Sequence, residues 1–399
     1  MSSFLSSLSG AVIMAPMTKG SNLPYRQLCT ELGAKILVSE MVVARRLKQR
    51  RRGEFALIRR APGEPCFGVQ LAGNKPDEVA WAAALVEARG ADFVDLNLGC
   101  PIDHFTRMGL GAALGRQPTR VRRIVEAMRQ AVKIPVTVKI RLGWNDSHRN
   151  YLDLARAIAD GGADAITVHG RTREARYRTA ADWDAIREVA TAVPVPVIGN
   201  GDLLFPHEVA EHFRESGCAA TMTARGVLIK PWLFRELTTG YWDITAEERV
   251  ELYRRYVELA KAHWGRRPPA AGLTSASGEQ AAGDSQRATG ETETARDGPQ
   301  PSDGPLEFDA HAHQRLREFL RWHVGFWVRY APQRPDGSWP TMQQRESSFV
   351  PRSPLEALLA RHDDAAQDYI TDQLITGEDL ADPPDAGSTP VEAEEIQAG

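Results

Sequence analysis

A thiol and an amide stand three residues apart in the stretch Asp92-Phe93-Val94-Asp95-Leu96-Asn97-Leu98-Gly99-Cys100-Pro101. The apolar run delivers both into a Gly/Pro turn, so Cys100 is offered by a loop and not packed inside a core run. A free thiol presented in this way can give a proton to carbon or attack it. Cys29, Cys66 and Cys218 lack such a setting and read as small buried hydrophobes.

Lys139 lies in Val136-Thr137-Val138-Lys139-Ile140-Arg141. A lysine between Val and Ile is costly to bury without a negative partner. It either snorkels to a rim or is held beside a ligand that becomes anionic, such as the N1–C2 edge of a reduced flavin. Two glycine turns, Gly199-Asn200-Gly201-Asp202 and Ala224-Arg225-Gly226, could bring backbone N–H groups to a phosphate, with Arg225 as counter-charge. Asn-Gly is also a common turn, so the weight falls on finding both together. The pair favours FMN over a dinucleotide. Gln70 and His169 end apolar runs of their own and could bond the pyrimidine edge of the flavin.

These residues share one property: each closes a short apolar or β-branched run. The runs are Ala11–Ala15, Ile36–Ser39, Cys66–Leu71, Phe93–Asn97, Val136–Ile140, Ala165–His169, Val195–Gly199 and Ala219–Thr223. They do not alternate apolar and polar cleanly, as expected of parallel strands whose outer face is covered by helices. Helical patterns separate most of them. Pro76-Asp77-Glu78 opens one that ends at Arg89-Gly90, and others start at Asp182 and Pro206. Strand and helix repeated eight times predict a (β/α)8 TIM barrel, in which all eight strand ends meet on one rim. An open doubly wound sheet is disfavoured because Ala15-Pro16-Met17-Thr18-Lys19-Gly20 lacks the Gly-x-Gly-x-x-Gly turn. The basic region 42–63 reads as a short helix plus an exposed loop.

The chain of 399 residues exceeds one barrel of about 250 residues. After Pro231-Trp232-Leu233-Phe234 only helical periodicity remains, with helices expected over Thr245–Trp264, His313–Tyr330 and Pro354–Gln373. The fold expected is thus α/β, a TIM barrel over 1–238 followed by a C-terminal all-helical domain over 241–375. Residues 266–305, poor in large apolar side chains, read as a disordered insertion, and 380–399 as a disordered acidic tail. Net charge is only −3, yet Arg45, Arg46, Lys48, Arg50, Arg51 and Arg52 crowd one segment. Such a cluster suits a polyanion. Four dispersed cysteines fit a reducing cytoplasm and no metal cluster. No secretory leader and no run of roughly 18 apolar residues is seen, so no membrane partner is expected.

Seven ordered pieces resemble the tRNA-dihydrouridine synthases: Ala15–Met17, Gly68–Leu71, Asn97–Pro101, Val138–Arg141, Val168–Thr172, Gly199–Asp202 and Ala224–Gly226. Asp103 and the Lys230–Phe234 stretch look closest to the subfamily whose eukaryotic members carry extra zinc fingers, which this sequence lacks. The resemblance implies an enzyme that binds FMN, takes electrons from NADPH, passes hydride from flavin N5 to C6 of a tRNA uridine, and protonates C5 from Cys100. It implies that Pro16, Met17, Thr18, Gln70, Lys139, His169, Asn200, Gly201, Asp202, Ala224 and Arg225 hold FMN. Asn97, Arg141 and Arg171 would meet the substrate. Arg45–Arg52, Arg173, Arg176 and the helical domain would grip tRNA phosphates, and a monomer without an obligate protein partner is expected. One departure stands out. Many family members carry lysines soon after the Cys-Pro pair, whereas this chain reads Ile102-Asp103-His104-Phe105-Thr106-Arg107, leaving Arg107 to replace the lost cation.

Two other readings compete. A dihydroorotate dehydrogenase also pairs FMN with a barrel and a proton-moving thiol or hydroxyl, but needs neither the arginine cluster nor the helical appendix. A tRNA-binding protein without catalysis would have no use for Cys100 and Lys139 together.

Overall fold

The computed structural model describes residues 3–265, 308–342 and 349–381. The expected insertion at 266–305 and the tail from 382 onward lie outside them. The strands are β1 (Ala11–Met14), β2 (Ile36–Val38), β3 (Val42–Val43), β4 (Cys66–Ala72), β5 (Phe93–Leu98), β6 (Val136–Arg141), β7 (Ala165–His169), β8 (Val197–Asn200) and β9 (Ala220–Thr223). Eight of them close a parallel barrel in the order β1-β2-β4-β5-β6-β7-β8-β9, with β9 returning to β1 and β2 pairing with β4. The expected TIM barrel is the observed one, and every expected strand is present to within two residues.

One expectation about the strands is corrected. β6 and the rim-ward parts of β5 and β7 alternate apolar and polar. Val94, Leu96, Leu98, Val136, Val138, Ile140, Ile166 and Val168 join an apolar cluster with helix residues such as Val86, Val121 and Ile124. The intervening Asp95, Asn97, Thr137, Lys139, Thr167 and His169 therefore point to the barrel axis, as period two requires. The barrel interior is polar toward this rim, and that polarity restores the alternation usually missing from parallel strands. Register then sets neighbours: Gln70 pairs with Asp95, Asp95 with Thr137, Asn97 with Lys139, Arg141 with His169 and His169 with Asn200.

The covering helices start and stop where local chemistry directs. Pro76–Ala88 has Pro at its first position and Asp77 and Glu78 in its first turn, and Gly90 beyond its end has φ +84°. The basic segment after β2 differs from the helix and loop expected. It contains the two-residue ladder β3 against β4, then short helices Ala44–Lys48 and Arg52–Leu57. Buried Glu54 organises it by accepting Val43 N at 2.8 Å and pairing with Arg46 at 3.4 Å, while Arg50 at φ +56° separates the helices.

After the barrel come helices Leu233–Thr239, Ala246–Trp264, Ala310–Trp327, Pro354–Leu359 and Asp364–Thr376. Thr245 and Glu248 cap the second reciprocally. The single helix expected over Pro354–Gln373 is two, because Asp363 accepts Ala366 N at 3.0 Å and starts a new helix. Tyr25, on the barrel helix Leu23–Glu31, meets His323 at 4.8 Å and Tyr256 at 5.9 Å between ring centroids. One apolar cluster runs from Phe4 and β1 through Tyr25 into these C-terminal helices. No described helix is long and apolar enough to cross a membrane.

Candidate active site at the barrel mouth

The strand ends line a single cleft at the mouth of the barrel. The turn after β1 contributes Pro16 and Met17, and β5 with its following turn contributes Asn97 and Cys100. β6 contributes Lys139 and Arg141, and β7 with its loop contributes His169 and Arg171. Asn200, Gly201 and Asp202 come from the end of β8, and Ala224 and Arg225 follow β9. Residues spread over 210 positions thus share one wall, as the barrel topology dictates. Thr18 is exposed and outside this wall, and Gln70 is buried one layer behind it.

A hydrogen-bonded row fixes the thiol side. Thr137 donates from Oγ1 to Asp95 Oδ1 at 2.6 Å, and Gln70 donates from Nε2 to Asp95 Oδ2 at 2.8 Å. Asn97 donates from Nδ2 to Gln70 Oε1 at 2.7 Å, and its Oδ1 accepts from Gly99 N at 3.2 Å and Cys100 N at 2.9 Å. From the other side Arg141 donates to Gly99 O at 2.8 Å and Thr172 O at 3.1 Å. Arg173 donates to Pro101 O at 3.2 Å, pairs with Asp103, and lies 4.6 Å over the Trp144 ring. Cys100 is 3% exposed, and burial raises its thiol pKa against the opposing pull of the Ile102 N–H and Arg141. At neutral pH this sulfur keeps its proton.

A cationic side faces it. Lys139 donates from Nζ to Asn200 Oδ1 at 2.9 Å, and Asn200 Nδ2 donates to Met222 O at 2.7 Å. Arg171 meets both Asp202 oxygens, at 2.6 and 2.5 Å, and Arg225 reaches Asp202 Oδ1 at 3.2 Å. The backbone here is one that glycine permits: Gly201 has φ +143°, and a Cβ on Gly226 would lie 1.9 Å from Leu203 O. Tyr177 stacks under Arg225 at 3.9 Å, and Met342 closes part of the wall from the C-terminal region.

Four cleft residues are cations by type (Lys139, Arg141, Arg171, Arg225) against one carboxylate, Asp202. Desolvation, with Arg141 adding repulsion and Asp95 opposing, pushes Lys139 down to about 7. Burial pushes Arg225 down to about 10, and burial plus four neighbouring cations hold His169 well below the usual imidazole range. His169 is therefore neutral. Cations desolvated in this way are stabilised by an anionic ligand. The donor set, with arginines beside glycine turns and a lysine inside the mouth, fits a phosphomonoester whose ring carries carbonyl and imine acceptors, as FMN does.

The sequence reading missed Asp95, Tyr177 and Met342. Asp95 carried a signal in the alternation of β5, whereas Tyr177 and Met342 lie in irregular segments with none.

Residues 13–268 match the family model described as Dihydrouridine synthase (Dus). The chain is 41% identical over 272 residues to a tRNA-dihydrouridine(47) synthase of Coprinopsis cinerea, covering 64% of this chain and 40% of that protein. A tRNA-dihydrouridine(47) synthase-like protein of Homo sapiens is 40% identical over 261 residues, covering 65% of this chain and 40% of its own length. The counterpart in Arabidopsis thaliana is 39% identical over 259 residues, covering 63% and 37%. The chain spans about two fifths of the length of the curated relatives it matches.

Proposed function

The chain belongs to the dihydrouridine synthase family, and from that premise we propose that it reduces uridines of tRNA to 5,6-dihydrouridine, with FMN in the barrel mouth and NADPH as reductant. The relatives bear the name tRNA-dihydrouridine(47) synthase, with NAD(P)(+) in the name, which supports tRNA as substrate and makes uridine 47 the first position to test. One observation carries the reading: a buried thiol that keeps its proton borders a cleft whose walls hold three more cations than carboxylates.

Arg225, Arg171 and the backbone at Gly201 and Ala224 would hold the phosphate, with Asp202 keeping the two arginines in place. Lys139 would meet the electron-rich edge of the ring, and neutral His169 would add a polar contact. Pro16 and Met17 would border the cofactor through their backbone, whereas Thr18, outside the cleft, would not. When bound, FMN supplies the hydride that reaches C6 of the uracil, replenished from NADPH. Hydride addition builds negative charge at C5 and O4, so a positioned acid is required. Cys100 gives its proton to C5, and its raised pKa keeps that proton in place beforehand. Asn97 and Arg141 hold the loop carrying the thiol and border the space left for the base.

In this reading residues 1–238 are the catalytic unit and 241–375 help bind RNA, together with the exposed basic segment Arg45–Arg52. A base must leave its stack to enter the cleft, which costs least in unpaired tRNA loops. The four cysteines are free, in keeping with a reducing cytoplasm, and the enzyme is proposed to act as a monomer.

The test is to release and identify the bound cofactor, then supply NADPH and unmodified tRNA and map dihydrouridine. FMN and dihydrouridine are expected from the intact protein, and no dihydrouridine from Cys100→Ala. Redox turnover with dihydroorotate in place of tRNA would replace the reading by a dihydroorotate dehydrogenase-like one. Tight tRNA binding without dihydrouridine would leave an RNA-binding protein.

A further inference from the structure

We infer that Asp95 is a positioning residue for the Cys100 loop, because its carboxylate fixes the hydrogen-bond sense of Gln70 and Asn97. Asp95 is 4% exposed and receives Thr137 Oγ1 and Gln70 Nε2 at 2.6 and 2.8 Å. An ionised carboxylate can only accept. Gln70 must therefore turn its NH2 toward Asp95 and its carbonyl toward Asn97. Asn97 must in turn spend an N–H on Gln70 Oε1, at 2.7 Å, and point Oδ1 at the turn, where it accepts both Gly99 N and Cys100 N. Reversing either amide would set donor against donor.

The order of donors and acceptors from β6 to the thiol loop is thus held from both ends, by one acceptor-only carboxylate two residues before Asn97 and by two backbone N–H groups that can only donate. The same inventory limits Asn97. Its oxygen is saturated by two N–H groups, so it can offer a ligand only an N–H, and the ligand atom it meets must be an acceptor. Asp95 itself does not line the cleft.

The inference rests on the reading of Cys100 as proton donor, and its test separates the two. Asp95→Asn in the full chain replaces an acceptor-only group by one that can donate or accept, so the sense of Gln70 and Asn97 is imposed from the loop end alone. Backbone amide exchange at Gly99 and Cys100, read by mass spectrometry on flavin-free protein, is expected to rise at least about tenfold as Asn97 Oδ1 is lost to those amides. In the FMN-loaded variant, cofactor content and NADPH-driven reduction should stay within about twofold, while tRNA-dependent reoxidation slows by about tenfold or more. Unchanged exchange overturns the inference. So does a parallel loss of cofactor, reduction and melting temperature, which would mark the carboxylate as merely structural. Should Asp95→Asn fail to fold, Gln70→Met cuts the link between the carboxylate and Asn97, and the same rise in amide exchange at Gly99 and Cys100 is expected in flavin-free protein; unaltered exchange overturns the inference there too. If the wild-type protein shows no tRNA-dependent reoxidation, the proposed function fails, and amide exchange still decides the role of Asp95.

Discussion

Lys139 Nζ donates to Asn200 Oδ1 at 2.9 Å, tying β6 to the last residue of β8 past the intervening β7. Among the described residues no carboxylate lies at hydrogen-bond distance of this lysine, and desolvation holds it at about 7. An anionic ligand would restore the charge. Above about pH 7 the free protein must then take up a proton as FMN binds, so affinity should fall as pH rises. Calorimetry in two buffers of different ionisation heat should show that uptake. Lys139→Met should weaken FMN by about 10- to 100-fold and abolish the uptake.

Cys100 offers a sharper dissection. Its thiol is not placed to carry the phosphate, since Cys100 follows β5 while Asp202 and Arg225 follow β8 and β9, on the far side of the barrel ring. Cys100→Ala should therefore keep FMN and its reduction by NADPH, but slow tRNA-dependent reoxidation by about 10²- to 10⁴-fold. Rapid-mixing absorbance of the two half-reactions separates these effects. Equal losses in both would count against the assigned proton transfer.

The arginines divide by what they already hold. Arg50, Arg51 and Arg52 are exposed, whereas Arg173 is engaged with Pro101 O, Asp103 and Trp144. Replacing Arg51 or Arg52 by Ala should reduce the slope of log affinity for tRNA against log salt by about one for each phosphate no longer neutralised. Arg173→Ala should leave that slope unchanged and lower turnover, because it loosens the thiol loop. Filter binding at several salt concentrations distinguishes the two classes.

The rim residues were legible because each ends a β-branched run, and a closed parallel barrel brings such ends together whatever their spacing. Lys139, His169 and Asn200 met in this way, and Asn97 and Cys100 line the same cleft. What stayed hidden depended on register. Asp95 finds Thr137 42 residues away and Gln70 25 residues away, partners that only the strand pairing reveals. Tyr177 reaches Arg225 from a loop without periodicity, so nothing in its surroundings marked it. The break before Asp364 was readable in principle, since Asp363 precedes a helical run in the manner of an N-cap.

Asp95 should leave a signature in stability. Burial raises its carboxyl from 3.8 to about 6, with Thr137, Gln70 and Lys139 opposing. The folded chain holds this proton more tightly than the unfolded chain does. Raising pH from 3.8 to about 6 therefore removes stability, up to roughly 3 kcal/mol, and the loss persists at higher pH. Asp95→Asn should abolish that slope and be at least as stable as wild type near neutral pH. Denaturant midpoints of both proteins across this window check it. A variant less stable at neutral pH would show that the charge stabilises the fold.

Gly111 tests the thiol loop from a residue that does not line the cleft. It has φ +58°, and a Cβ there would lie 2.6 Å from Cys100 O and 2.9 Å from Cys100 Cβ. The left-handed backbone alone costs an L-residue about 1–2 kcal/mol. The contact with Cys100 O cannot be relieved by a side-chain rotation, because the obstacle is backbone, and Ala112 N also binds that oxygen at 3.0 Å. Gly111→Ala must therefore move Cys100. The expected result is a loss of roughly 1–3 kcal/mol in stability with FMN affinity nearly retained, because the cationic wall is untouched. Reoxidation by tRNA should fall at least about tenfold, since small displacements of a proton donor are costly. Equilibrium unfolding and flavin titration measure the first two, and stopped-flow reoxidation the third. Full reoxidation in a destabilised variant would mean that the thiol tolerates displacement, and that its held position is not what the chemistry requires.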